Sequence, residues 1–129
     1  MKLLTSTWFE VQDYLKSSDG IIVPTGSVEQ HGPIGLIGTD ALCVEEIAGE
    51  VGRNINALIA PTLAYAPAEF NMEFPGTISI SSELFQELCR QVLSSLARQG
   101  FRHIYLLNGH GANPVSYTHL RAHETVLDL

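Results

Sequence analysis

Gly20-Ile21-Ile22-Val23-Pro24-Thr25, running into Gly26-Ser27-Val28-Glu29-Gln30-His31-Gly32-Pro33, decides how this chain folds. Ile21 to Val23 is apolar and β-branched with no polar alternation, the pattern of a strand covered on both faces. Pro24 ends it. Upstream, Ser17-Ser18-Asp19-Gly20 breaks a short helix that Thr7-Trp8-Phe9-Glu10 opens with the spacing of a capping box and that runs to about Lys16. Downstream, a loop spans Thr25 to Thr39, after which Val44, Ile47, Ala48, Val51 and Ile55 recur at helical spacing. Ala57-Leu58-Ile59-Ala60 before Pro61 reads as a second buried strand. Pro61 to Ser81 has no helical period and carries Glu69, Asn71, Glu73 and Pro75-Gly76, so a working loop leading into a short strand around Ile78 and Ile80 is expected. Glu83 then opens a helix with Phe85, Leu88, Val92 and Leu96 on one face and Gly100 as its stop, and Ile104 to Leu107 is a third buried strand. Strands alternating with helices predict an α/β fold, a three-layer α/β/α sandwich on a mainly parallel sheet.

The 129 residues suit one domain with one core, and 45% hydrophobic content suits a globular chain. With 14 acidic against 7 basic residues, a formal charge of -7 and no basic patch, nucleic acid is not an expected partner. Met1-Lys2-Leu3-Leu4-Thr5-Ser6 turns polar too soon for a signal peptide and no run reaches membrane-spanning length, so a cytoplasmic location without membrane partners is expected. Cys43 and Cys89 lack CxxC or Cys/His spacing and read as reduced, buried thiols.

In parallel sheets ligands gather at the carboxyl ends of the strands, and the loops after Val23 and after Leu107 both begin there. Glu29 and His31 stand two apart, so in extended backbone their side chains point to one side and can converge on one centre. Asp40 follows after a glycine-containing turn, and His110 comes from the other strand end between Gly109 and Gly111. Taken singly, Asp40 reads equally as a helix N-cap, Glu29 as a solvated carboxylate and each histidine as a structural one. Taken together, oxygen and nitrogen donors in a glycine-rich loop at a strand end match what a catalytic divalent metal needs.

Gly26-Ser27-Val28-Glu29-Gln30-His31-Gly32-Pro33, Gly38-Thr39-Asp40, Phe74-Pro75-Gly76-Thr77 and Asn108-Gly109-His110-Gly111-Ala112-Asn113 resemble, in order and spacing, the motif set of the creatininase family. The resemblance covers essentially residues 7–114. It implies an α/β sandwich, homo-oligomeric assembly of the full-length form, and hydrolysis of a C–N bond in a small cyclic or linear amide by a hydroxide activated on two divalent metal ions, Zn, Mn or Fe. It makes Glu29 a ligand of one metal, His31 a ligand of the other, Asp40 the carboxylate bridging both, and His110 a second ligand of the Glu29 metal. Gln30 and Asn108 then read either as groups behind the ligands that orient them or as loop-stabilising residues.

The departures narrow the reading. Ile34-Gly35-Leu36 stands where many members have His-Leu-Pro, and Ala112 where creatininase itself has a metal-binding Glu, so creatinine is the less expected substrate. Residues 1–114 are expected to be the N-terminal half of a truncated creatininase-like domain and 115–129 a non-native tail, with the proton-transfer groups in the absent half and this chain inactive by itself. His119, His123 and Glu124 offer a further metal reading that the tail's foreign character argues against. The alternative from a different class is a non-catalytic metal-binding or oligomerisation module of the same fold.

Overall fold

The computed structural model describes residues 1–113. A 3-10 turn at Leu3–Thr5 leads into helix α1 (Trp8–Leu15), strand β1 (Gly20–Thr25), helix α2 (Thr39–Ile55), strand β2 (Leu58–Ile59), a second 3-10 turn at Glu69–Asn71, helix α3 (Ser82–Arg98) and strand β3 (His103–Asn108). The capping box is present on α1, where the Thr7 side chain accepts from the Glu10 amide and the Glu10 carboxylate accepts from the Thr7 amide. Ser81 caps α3 in the same manner by accepting from the Leu84 amide at 3.1 Å. Helix α2 stops where Asn56 takes the left-handed conformation at φ 55°.

The strands form one parallel sheet in the order β2-β1-β3. Strand β1 is central, which is why its apolar residues do not alternate with polar ones: both faces are covered. Ile21 and Val23, with Leu58, Ala60 and Ile104, point into a core closed by Phe85, Cys89, Leu93 and Leu96 of α3 and by Val11, Tyr14 and Leu15 of α1. Ile22 and Ile59 point the other way, against Ala48 of α2. The Tyr14 hydroxyl ties the layers together, donating to the Gly20 carbonyl at 2.7 Å and accepting from the Leu58 amide at 3.2 Å. The three-layer α/β arrangement expected from the sequence is therefore the one observed.

Four expectations need correction. Pro24 does not end β1, which runs through it to Thr25 with Pro24 opposite Leu107, because the parallel register takes the Pro24 carbonyl and needs no amide from it there. Strand β3 is not a buried strand: Ile104 is buried, but His103, Tyr105 and Asn108 are exposed, because β3 is an edge of the sheet among the described residues. No strand forms around Ile78 and Ile80, because neighbouring residues bridge to different segments: Ile78 pairs antiparallel with Val28 and Ser79 parallel with Ala66, so no ladder can extend. Cys43 is exposed, since α2 buries only the stripe Val44, Ala48 and Gly52 and Cys43 lies about 100° around the helix from Val44. Cys89 is buried as expected, and burial pushes its thiol up to about 12. The tail beyond residue 114, with His119, His123 and Glu124, lies outside the described residues.

Phe85 is fully enclosed in the larger core. Phe85→Ala should lower the unfolding free energy by about 3–5 kcal/mol, through lost transfer energy and the cavity left behind. Thr7→Ala, which removes half of an exposed cap, should cost about 1 kcal/mol. Urea denaturation of the two variants beside the parent chain measures both.

Candidate metal centre

The parallel register ends with Thr25 opposite Asn108, so the loops leaving β1 and β3 emerge side by side. A hydrogen bond from the Gly109 amide to the Thr25 carbonyl, 2.8 Å, holds the second loop to the first. The first turn of α2 crosses these strand ends. A Cβ at Gly26 would lie 2.5 Å from the Ala41 Cα, and one at Gly109 would lie 2.8 Å from the Asp40 carbonyl oxygen, so glycine at both positions is a steric requirement. Asp40 is thereby delivered to the loops. It sits inside α2 rather than at its cap, which is Gly38 and makes no side-chain bond, so the N-cap alternative for Asp40 falls away.

Glu29, His31 and Asp40 each offer a ligand atom within 4.8 Å of the others. His110 joins them: its Nδ1 lies 2.9 Å from Asp40 Oδ2 and 3.1 Å from Glu29 Oε1. His31 Nε2 lies 3.2 Å from the other Asp40 oxygen, Oδ1. All four residues singled out from the sequence are thus in one place, with Asp40 in the middle and a histidine at each of its oxygens.

The outer nitrogens of both rings face backbone carbonyls, His110 Nε2 at 2.7 Å from Pro67 O and His31 Nδ1 at 3.1 Å from Glu29 O. A carbonyl can only accept, so each of these nitrogens carries its proton. In the neutral rings the inner nitrogens, His110 Nδ1 and His31 Nε2, therefore present lone pairs to carboxylate oxygens. Such a convergence of acceptors is favourable only with a cation between them, either a proton on the ring or a metal ion. The set is oxygen and imidazole nitrogen, the chemistry of a zinc, manganese or iron site.

The electrostatics of Asp40 and His31 run in the same sense. Burial works to raise the Asp40 carboxyl, but the Ser27 hydroxyl, donating to Oδ2 at 2.9 Å, together with His110 and the nearby His31 outweighs it and holds Asp40 below the ordinary carboxylate range. His31 is raised, chiefly by its bond to the Glu29 carbonyl; burial opposes this, and the Asp40 and Glu29 charges support it. Glu29 and His110 are nearly sealed, whereas the His31 side chain is 30% exposed, so the centre opens toward solvent on the His31 side.

Behind these four residues, Asn108 Oδ1 accepts from the His110 amide at 3.1 Å and its Nδ2 donates to the His110 carbonyl at 2.8 Å, shaping the loop that carries the ring. Asn113 Nδ2 and the Thr25 hydroxyl also bond Asn108 Oδ1. Gln30 reaches Glu29 only through Asn71, whose Nδ2 donates to Glu29 Oε2 at 2.7 Å. Sequence reasoning gave no role at the ligands to Asn71, Ser27 or the Pro67 carbonyl. The long polar loop without helical period was the only signal for Asn71 and Pro67, and Ser27 lies two residues before Glu29 in the Gly26 to Pro33 motif.

The chain matches the family model for creatinine amidohydrolase, Creatininase, over residues 5–125. It is 33% identical over 108 residues to the 3-dehydro-scyllo-inosose hydrolase of Thermotoga maritima, covering 83% of this chain and 35% of that protein. It is 30% identical over 113 residues to the creatinine amidohydrolase of Pseudomonas putida, covering 83% and 44%. A crystal structure of creatinine amidohydrolase (creatininase) superposes with a TM-score of 0.88 at 27% identity, over 94% of this chain and 49% of that one. A mutant creatininase of Zn-Zn type gives 0.86 at 27%, over the same shares. This chain spans between about a third and a half of the length of these relatives.

Gly109→Ala should force the first turn of α2 off the strand ends, at a cost of about 1–3 kcal/mol for overpacking. A crystal structure of the variant should show Asp40 Oδ2 farther from His110 Nδ1 than the present 2.9 Å. An unchanged separation would mean that the helix is not seated by this contact.

Proposed function

The chain belongs to the creatininase family, and from that premise we propose that it serves as the metal-holding part of a metal-dependent amidohydrolase acting on a C–N bond of a small cyclic or linear amide. The observation that carries this reading is Asp40 with a histidine at each oxygen, both rings held by backbone carbonyls in the tautomer that aims a lone pair inward. Glu29, Asp40 and His110 would hold one divalent cation, and His31 and Asp40 the second. Bound there, the two ions would polarise the amide carbonyl and lower the pKa of a shared water. Zinc is supported by the Zn-Zn form of the related creatininase, and manganese and iron by the mixed donor set.

Each residue's part follows from its contacts. Asp40 holds the two positions together while Ser27 keeps it charged. Glu29, buried and tied by Asn71, closes the inner side, and His31, on the open side, borders the path by which an amide would enter. The four side chains aim their inward atoms at the cation positions, so we assign proton transfer to other groups. Ile34 in the loop beside His31 is almost fully exposed and supplies no polar contact there, which supports an amide other than creatinine as substrate.

We further propose a homo-oligomeric form, supported by the exposed side chains of Ile34, Leu36, Phe70 and Phe74, and a cytoplasmic location, supported by two free cysteines. Among the described residues no helix is long and apolar enough to cross a membrane. The division at residue 114 remains a proposal from the motif pattern, beside a family match that runs to residue 125.

Elemental analysis after zinc loading should find two ions per parent chain completed with a native C-terminal half. Asp40→Ala should lose most of both, whereas His110→Ala should lose one. Full loading of Asp40→Ala would refute the bridging role.

The completed protein should hydrolyse members of a small amide panel, with Glu29→Gln reducing turnover below detection. The 129-residue chain should be inactive on the same panel, because it spans only about a third to a half of its relatives' length and the proton-transfer groups are expected in the remainder. Zinc uptake without hydrolysis by the completed protein would favour the non-catalytic module instead.

A further inference from the structure

Glu29 is buried and has two oxygens, of which only Oε1 faces His110. What decides the orientation of its carboxylate is a chain of hydrogen bonds that starts at a backbone amide. The Gly32 N–H donates to Gln30 Oε1 at 2.8 Å, Gln30 Nε2 donates to Asn71 Oδ1 at 2.8 Å, and Asn71 Nδ2 donates to Glu29 Oε2 at 2.7 Å. Side-chain amides can turn over and exchange donor for acceptor, but a backbone N–H cannot. Because Gly32 can only donate, Gln30 must present its oxygen there and its NH2 to Asn71. Asn71 must in turn present its oxygen to Gln30 and its NH2 to Glu29.

The sense of the chain is therefore set at Gly32 and delivered to the carboxylate. Gly32 holds its position with φ at 79°, a left-handed conformation that favours glycine. Both ends are anchored independently. The Gln30 amide donates to the Thr77 hydroxyl at 3.1 Å, and the Asn71 amide donates to the Ala68 carbonyl at 3.0 Å within the turn that holds Asn71. Asn71 is itself buried, so water does not compete for its amide.

We propose that Asn71 is a positioning residue for the metal centre: oriented through Gln30 by the Gly32 amide, it occupies Glu29 Oε2 and leaves Oε1 as the single oxygen offered to a cation beside His110. The proposal rests on the metal-centre reading above. Its effect is on the geometry and basicity of one ligand, the kind of outer contact whose loss weakens metal affinity by about 10–100-fold.

The test uses zinc as probe, with affinities measured by competition against a chromophoric chelator and folding followed by circular dichroism. The parent chain completed with a native C-terminal half is compared with Asn71→Ala, Gln30→Glu and the double variant of the same completed protein. Gln30→Glu keeps the oxygen that Gly32 needs but places a second oxygen against Asn71, so the Asn71 amide turns over and its oxygen meets Glu29. Zinc binding at the Glu29 position should weaken by about 10–100-fold in either single variant. The sign is diagnostic, since an added negative charge acting only through the general field would tighten cation binding.

The double variant should bind no more weakly than Asn71→Ala, because Gln30 acts through Asn71. Should Asn71→Ala fail to fold, the sign of the Gln30→Glu effect still decides. Parent-like or tighter zinc binding by a folded Gln30→Glu overturns the relay while leaving the metal centre standing. A completed parent protein that takes up no zinc overturns the metal-centre reading itself, and the relay with it.

Discussion

The first turn of α2 lies against the carboxyl ends of β1 and β3 at a distance that only a missing Cβ permits. Gly26 and Gly109 make the approach possible, one on each strand end, and the parallel register places them together. With the turn seated there, Asp40 meets His110 from the second strand's loop and His31 from the first's. Without it, the donors would be distributed over three separate elements. The short-range packing of backbone on backbone is thus the constraint from which the centre follows.

Such a site carries an electrostatic cost that the rest of the fold offsets. Glu29 and Asp40 are brought together in surroundings poor in water, where two carboxylates repel and lose hydration. Asp40 lies in the first turn of α2, where the helix dipole favours a negative charge, and receives the Ser27 hydroxyl. Glu29 receives the Asn71 amide. These neutral donors lessen the cost without satisfying it, and the lone pairs of two histidines add to the demand for positive charge. A cluster so arranged is complementary to cations before any is bound.

The irregular segment from Pro61 to Ser81 makes sense in the same terms. It contributes to the centre at three separated points, through the Pro67 carbonyl under His110, Asn71 on Glu29 and Thr77 on the Gln30 amide. A regular helix or strand would space its polar groups by its own repeat. These contacts need a spacing set by His110, Glu29 and Gln30 instead, and the segment adopts turns and single bridges to meet it.

Much of this was legible in the residues themselves. Ile21 to Val23 reads as a covered strand, Thr7 with Glu10 as a cap, and Phe85 to Leu96 as one helical face, because hydrophobic period and capping act over a few residues and need no knowledge of the rest of the chain. Glu29, His31, Asp40 and His110 could be singled out by their motif setting. Which Asp40 oxygen each histidine faces, which tautomer each ring holds, and that Asn71 rather than Gln30 touches Glu29 were not legible. The Asn71–Glu29 and His110–Asp40 contacts join residues 42 and 70 positions apart, and even the shorter His31–Asp40 contact depends on how α2 is seated on the strand ends. Cys43 escaped for a related reason: helical period finds the apolar stripe of α2, but only the packed sheet decides how narrow a part of it is covered. The sequence by itself determined the elements and the kinds of donor, through rules that are local. The tertiary structure decided the direction of the long-range hydrogen bonds at the centre, such as Asn71 to Glu29 and His110 to the Pro67 carbonyl, because that direction depends on which fixed donor or acceptor each side chain meets.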